Sequence, residues 1–215
     1  MKQHIVFVLD KSGSMETIRD RVISGFNEFL EDQKREAKRR GDDVRLTLTL
    51  FDSPVYNNVL GQVGFVNAYV NEKIADVPGL TKETYVPGGA TALLDAIERT
   101  LDQVGDCDGA ERVVMVVMTD GEENSSEEAT KDGIKGRIDE RVAAGWAVVY
   151  LGANVDEFAE AAAIGVADYR ARGWDATADG TDLVMADLSR ATTRNLAPRG
   201  APSERFWDED EGSHT

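Results

Sequence analysis

Residues Arg112 to Thr119 (Arg-Val-Val-Met-Val-Val-Met-Thr) form the most continuously apolar run of the chain. A half-exposed strand alternates polar and apolar positions, so a short, valine-rich run of this kind fits a central strand covered on both faces. Such a strand requires helices above and below it. His4 to Leu9 is a second apolar run and Trp146 to Leu151 a third. Between them lie segments whose apolar residues recur every three or four positions. Ile18, Val22, Ile23, Phe26, Phe29 and Leu30 make one such face; Leu93, Leu94, Ile97 and Leu101 a second; Ile134, Ile138 and Val142 a third. Strands alternating with amphipathic helices imply an α/β fold: an open, doubly wound, mostly parallel six-stranded sheet with helices on both faces.

The remaining elements follow in order. The first helix closes on Lys34-Arg35-Glu36-Ala37-Lys38-Arg39-Arg40-Gly41, where cations complement the helix dipole and Gly41 is a natural stop. A basic run also suits nucleic acid, but a formal net charge of -16 opposes binding to nucleic acid or an anionic membrane. Val44 to Phe51 reads as the second strand. Asp52-Ser53-Pro54 turns the chain into a third, Val55 to Leu60, and so short a connection demands an antiparallel edge strand. Val63 to Val77 is less regular, with room for a short helix. Gly152-Ala153-Asn154-Val155 leads into an alanine-rich helix, and Val166 to Ala171 reads as the last strand. Asp179-Gly180-Thr181-Asp182 then caps a final helix to about Arg194.

Residues 1–196 are expected to form one domain. Residues 197–215 are read as a disordered tail, because Pro198, Gly200 and Pro202 precede the acidic Phe206-Trp207-Asp208-Glu209-Asp210-Glu211. Cys107 is the sole cysteine, which excludes an intramolecular disulfide. No signal peptide or membrane span is evident, so the expected location is the cytoplasm.

Each of the two strongest strands ends in an aspartate. Asp10-Lys11-Ser12-Gly13-Ser14 follows the first, and Asp120-Gly121 follows Thr119. Right-handed crossovers bring the loops after parallel strands to one edge of the sheet, where ligands of open α/β folds sit. Asp10, Ser12, Ser14, Thr91 and Asp120 all fall at that edge. Taken singly they have ordinary explanations: Ser14 and Thr91 precede helices as caps do, and Asp120-Gly121 is a turn. Taken together they are five oxygen-bearing side chains without cysteine or histidine, a donor set that suits Mg2+ or Mn2+ better than zinc. Glu122 and Glu123 add negative charge beside it, either as a solvated helix start or as a bias towards basic surroundings on a partner.

Asp10-Lys11-Ser12-Gly13-Ser14 resembles the Asp-x-Ser-x-Ser signature of the metal-ion-dependent adhesion site (MIDAS) of von Willebrand factor A (vWA) domains. Thr91 in Gly88-Gly89-Ala90-Thr91 and Asp120 in Met118-Thr119-Asp120-Gly121 match the other two positions in the family's order. The resemblance covers roughly residues 3 to 195. Leu151-Gly152-Ala153-Asn154 and Ala191-Thr192-Thr193-Arg194 are similar to stretches of small stand-alone bacterial and phage vWA proteins. The resemblance implies the vWA fold, with Ser12, Ser14 and, in one state, Thr91 on the metal directly, and Asp10 and Asp120 acting through water. It implies a non-enzymatic module whose Mg2+ or Mn2+ captures a glutamate or aspartate of an unidentified partner protein. It also implies that the last helix, roughly Asp182 to Arg194, slides when Thr91 takes up the metal.

Two other classes stay open: a metal-dependent phosphohydrolase, and a structural protein, for instance of a phage particle, with a vestigial site. Against the first, haloacid-dehalogenase-like enzymes carry a second aspartate at the position of Ser12. A Ser-His-Asp hydrolase lacks a base, since His4 lies in a strand and His214 in the tail. No Walker lysine motif exists. Asp175 to Gly180 starts like a calcium loop but reaches Ala186 where a glutamate is needed.

Overall fold

Isoleucine, valine and leucine at successive positions of the first strand point alternately to two faces, and both faces need cover. The computed structural model, which describes residues 1–53, 64–153, 157–197 and 206–207, supplies that cover. The strands are β1 (Lys2–Asp10), β2 (Asp43–Phe51), β3 (Phe65–Lys73), β4 (Arg112–Thr119), β5 (Ala147–Gly152) and β6 (Ala171–Gly173). The helices are α1 (Arg19–Arg40), α2 (Leu93–Val104), α3 (Lys131–Ala143), α4 (Glu157–Ala163) and α5 (Ala178–Asn195). The sheet order is β3-β2-β1-β4-β5-β6. All neighbours run parallel except β2 and β3, which pair antiparallel. This is the expected doubly wound architecture with one antiparallel edge.

From β1 the chain moves first to β2 and later, beyond β4, in the opposite direction to β5 and β6. Right-handed crossovers therefore place α1 on one face and α3 and α4 on the other. Ile5, Phe7 and Leu9 of β1 share one core with Val22, Phe26 and Phe29 of α1 and Leu188 of α5. Val6 and Val8 share the second with Leu93 and Ile97 of α2 and Ile134 and Ile138 of α3. β4 is divided in the same way, with Val114, Val116 and Met118 on the first face and Val113, Met115 and Val117 on the second. Its position between β1 and β5 explains the unbroken apolar run. Phe7 meets Phe26 and Phe29 edge-on, with ring centroids 5.4 and 5.7 Å apart. Each such pair contributes about 0.5–1.5 kcal/mol beyond its buried area.

Several boundaries differ from the sequence reading. The antiparallel edge strand is Phe65–Lys73, inside the stretch read as irregular; Val55 to Leu60 lies outside the described residues. Alternation is weak in β3 because most of its side chains are only half-buried, and Asn71 takes a positive φ of 52° where the register shifts. The expected short helix survives as a 3-10 turn, Ile74–Asp76. The last strand is the three residues Ala171–Gly173, reached through a 3-10 turn at Asp168–Arg170. The final helix begins at Ala178, because the Thr177 side chain accepts the Gly180 N–H and caps it ahead of the expected residues. Within the acidic tail, Phe206 is buried and Trp207 packs beside it on the first core.

His4, in β1, is 2 % exposed; its Nε2 shares a hydrogen bond of 2.9 Å with Thr47 Oγ1, and its Nδ1 has no partner among the described residues. Burial pushes this imidazole down to about 4. The unfolded chain takes up the proton near the ordinary value of about 6.5, which the folded chain resists. Its contribution is therefore intact above that value and is lost as pH falls towards 4. Urea unfolding at pH 7 and pH 4.5 is expected to show wild type losing about 2 kcal/mol more than His4→Gln between the two. Equal losses would assign the acid sensitivity elsewhere.

Candidate metal centre

The chemistry-bearing residues come from three loops at the C-terminal edge of β1 and β4. The β1 loop enters a 3-10 turn, Gly13–Ile18, before α1 begins at Arg19. The second loop runs into α2 and the third leaves β4. Backbone bonds join the first two: Gly13 N–H donates to Gly89 O at 3.0 Å and Gly88 N–H to Lys11 O at 2.8 Å. Gly89 has φ 73°, and a Cβ there would stand 3.4 Å from Ser53 N, so glycine suits the approach. The second and third loops are joined by a reciprocal pair. Asn124 N–H donates to Thr91 O at 3.1 Å, and Thr91 N–H to Asn124 Oδ1 at 3.0 Å.

Side chains complete the triangle. Asp10 is fully buried, and each of its carboxylate oxygens is engaged. Oδ1 accepts the Ser12 N–H at 2.6 Å and Oδ2 accepts the Thr119 hydroxyl at 2.6 Å. Ser12 Oγ and Ser14 Oγ share a hydrogen bond of 3.1 Å, and Ser14 Oγ donates to Asp120 Oδ1 at 2.6 Å. A Cβ built on Gly121 would stand 3.0 Å from Thr91 Oγ1 and 3.9 Å from Ser14 Oγ. Four of the five residues (Asp10, Ser12, Ser14 and Asp120) are thus linked in one chain of hydrogen bonds, and Thr91 comes into the same cluster beside Gly121. Ser12 and Thr91 are buried, Ser14 is exposed and Asp120 is half-exposed, so the cluster opens to solvent on the Ser14 and Asp120 side.

Burial pushes the Asp10 carboxyl up to about 7, against the hydrogen bonds from Thr119 and Ser12 and with a smaller push from the Asp120 charge. Burial raises Asp120 too, and its bond from Ser14 opposes the rise. A nearby cation would favour the ionised form of both. The donor set of two carboxylates and three hydroxyls is hard and purely oxygen-based, and so fits Mg2+ or Mn2+. Among the described residues, no three His, Cys, Asp or Glu side chains group as a metal site; three of the five residues of this cluster bring hydroxyls instead.

Ser14 is not the helix cap it was expected to be. It lies inside the 3-10 turn, and its hydroxyl is used across loops on Asp120. Thr91 stands two residues before α2, whose N-cap position is Ala92. Glu123 does not open the next helix either, which starts at Lys131. Its carboxylate accepts the N–H groups of Leu94, Ser125 and Ser126, so it closes the N-terminal turn of α2. Asp95 repays the contact by accepting from the N–H groups of Glu127, Glu128 and Ala129. Glu122 is the exposed member of the acidic pair.

Sequence reasoning also missed the support beneath the site. Lys11 and Asp52, each one residue past the paired Asp10 and Phe51, form a buried ion pair. Tyr85 donates its hydroxyl to Asp10 O at 2.6 Å, with burial holding the phenol far above its ordinary value. The one local signal for Thr119 is its hydroxyl immediately ahead of Asp120. Nothing local marks Asp52 or Tyr85.

Solved structures share this fold. The chain is similar to the pilus adhesin SpaC from Lactobacillus rhamnosus GG in its open conformation, with a TM-score of 0.68 and 15 % identity, covering 91 % of this chain and 30 % of that one. It is similar to the PilB minor pilin from Streptococcus sanguinis, with a TM-score of 0.61 and 14 % identity, covering 92 % and 62 %. Proximal thread matrix protein 1 from the mussel byssus gives 0.58 and 16 %, covering 89 % and 46 %. At these identities the likeness is one of fold alone. The chain spans less than two thirds of each of these proteins. No protein-family model and no curated protein matches the sequence. Among the described residues, no helix is long and apolar enough to cross a membrane.

Proposed function

We propose that this chain is a non-enzymatic, divalent-metal-dependent protein-interaction module of the vWA type. The observation that supports it is the gathering of Asp10, Ser12, Ser14, Thr91 and Asp120 from three loops held together by their own hydrogen bonds. In this reading Ser12, Ser14 and Thr91 offer hydroxyl oxygens directly, while half-exposed Asp120 orders the surrounding water and buried Asp10 supplies negative charge from beneath and holds the Ser12 backbone in place. Mg2+ or Mn2+ bound there supplies an electrophilic position for an anionic oxygen, because neutral hydroxyls leave most of the ion's charge uncompensated. A glutamate or aspartate of a partner protein is the matching group, approaching from the open side at Ser14 and Asp120. The net charge of -16 argues against nucleic acid or an anionic membrane as that partner. A cytoplasmic setting fits the sole cysteine, which is buried, its thiol pushed up to about 12 by that burial.

Asp10 argues against the phosphohydrolase reading. The residue is fully buried and each of its oxygens already accepts a hydrogen bond, so it presents no exposed nucleophile to a phosphorus atom. Robust phosphatase turnover lost in Asp10→Asn would reverse this ranking.

Calorimetric titration with Mg2+ and Mn2+ is expected to show uptake by wild type and at least about a tenfold weaker affinity in Ser12→Ala, as for loss of a metal-supporting group. Partner capture from the native host is expected to vanish with EDTA and with Asp10→Ala. Capture indifferent to both treatments would sink the reading. No metal uptake at all would favour a structural protein with a vestigial site.

A further inference from the structure

Three helices of this fold begin one or two residues after a threonine, and two of them use it in the same way. Thr130 is the N-cap of α3, and its hydroxyl accepts the N–H of Gly133, three residues on, at 3.2 Å. Thr177 is the N-cap of α5 and accepts the Gly180 N–H, again three residues on, at 3.2 Å. This is ordinary capping, in which a side-chain oxygen serves a first-turn donor that has no partner inside the helix. Thr91 stands before α2 with the same spacing to Leu94, yet it does not cap. The N-cap position is Ala92, whose side chain has no oxygen.

The loop after β4 carries out each task that a cap at Thr91 would perform. The Leu94 N–H donates to Glu123 Oε2 at 2.9 Å, and the Asp95 N–H to Ser126 Oγ at 3.1 Å. Ser126 Oγ donates in turn to Glu123 Oε2 at 2.7 Å, so one carboxylate holds both acceptors in place. A cap residue opens the helical ladder with its own carbonyl. The Thr91 carbonyl instead accepts the Asn124 N–H at 3.1 Å, and the ladder opens with Ala96 N–H on Ala92 O. The helix therefore starts one residue later than a Thr91 cap would set it. Among the described residues the Thr91 hydroxyl makes no hydrogen bond. It lies at the cluster, 3.0 Å from a Cβ built on Gly121.

We propose that Glu123 is a positioning residue of the metal centre: with Ser126 and Asn124 beside it, it caps α2 in place of Thr91 and so keeps the Thr91 hydroxyl for the metal. Capping and metal binding compete for the same oxygen, because a hydroxyl that accepts the Leu94 N–H is drawn over the first turn of α2 and away from Ser14 and Asp120. Glu123 removes the competition by taking the Leu94 N–H itself. The inference rests on the metal-centre reading, but the exchange of caps is measurable without metal.

Thermal melts in EDTA test that exchange. Thr130→Val and Thr177→Val each remove a working cap and are expected to lower the melting temperature by about 2–4 °C, and Thr91→Val by less than about 1 °C. In a Glu123→Ala background the Thr91 hydroxyl takes over the Leu94 N–H, and Thr91→Val is then expected to cost about 2–4 °C. A Thr91→Val loss as large as those at Thr130 and Thr177, or equal with and without Glu123, overturns the proposal. Should Glu123→Ala not melt cooperatively, the comparison of the three threonine variants decides. Calorimetric titration with Mg2+ tests the purpose of the exchange. Glu123→Ala is expected to bind at least about tenfold more weakly than wild type, whereas Glu123→Gln, which loses the charge but keeps an oxygen for Leu94, is expected to stay within about threefold. An affinity in Glu123→Gln as low as in Glu123→Ala would trace the effect to charge and overturns the positioning role. No Mg2+ uptake by wild type overturns the metal-centre reading and this role with it; uptake with contrary melts overturns this role alone.

Discussion

Asp52→Ala is expected to cost the fold about 3–5 kcal/mol, because it leaves the Lys11 ammonium buried without its counter-ion. Lys11 is 5 % exposed and Asp52 1 %, so water replaces little of what is lost. For a domain of this size that loss lowers the melting temperature by about 10 °C. The pair is not expected to be a strong net stabiliser, since taking both charges out of water offsets much of their attraction. The double variant Lys11→Met with Asp52→Leu is therefore expected to recover most of the stability. The course of the β1 loop is expected to hold in that variant, because residue 11 keeps its backbone N–H to Phe51 O at 2.8 Å and its carbonyl still accepts from Gly88. Urea unfolding of the two single variants and the double variant measures the coupling. A loss below about 1 kcal/mol in Asp52→Ala would mean that solvent reaches Lys11 after all.

Gly121→Ala is expected to separate metal binding from folding. The added methyl would have as its three nearest neighbours Thr91 Oγ1 at 3.0 Å, Ser14 Oγ at 3.9 Å and Thr91 Cβ at 3.9 Å. It crowds the two hydroxyls without entering the core, so stability in EDTA is expected to change by less than about 1 kcal/mol. In wild type, Mg2+ at about 100 times its dissociation constant stabilises the native state by about 2.7 kcal/mol, through mass action alone. Gly121→Ala is expected to lose most of that increment. Differential scanning calorimetry of both proteins in EDTA and in Mg2+ gives all four values. An undiminished Mg2+ shift in Gly121→Ala would place metal binding away from the Thr91 and Ser14 hydroxyls.

Much of the fold was legible because burial dictates composition. The unbroken apolar run of β4 needs helices on both sides, and the alternating faces of Ile5, Phe7 and Leu9 against Val6 and Val8 find them. The edge strand was misplaced because an edge has weaker burial to write into sequence, and β3 is interrupted at Asn71 by a backbone irregularity that has no strong local signature. Phe206 and Trp207 were absorbed into an acidic tail for a related reason. Two aromatic residues among charges show no periodicity, and their cover comes from Arg172, Arg194 and Asn195 elsewhere in the chain.

The cluster at the sheet edge divides in the same way. The sequence alone determined that Asp10, Ser12, Ser14, Thr91 and Asp120 belong to loops of one edge, because strand order and crossover handedness follow from the alternation of strands and helices. Only the tertiary structure decided that Asp10 is sealed from water between Ser12 and Thr119, that Ser14 turns to Asp120 and that Glu123 serves α2. It also decided that Lys11 meets Asp52. Those pairings join residues 2 to 109 positions apart, and most depend on strand register and on how closely three loops approach. Local sequence cannot encode such distances, since they are set by the packing of the whole sheet and its two helical layers.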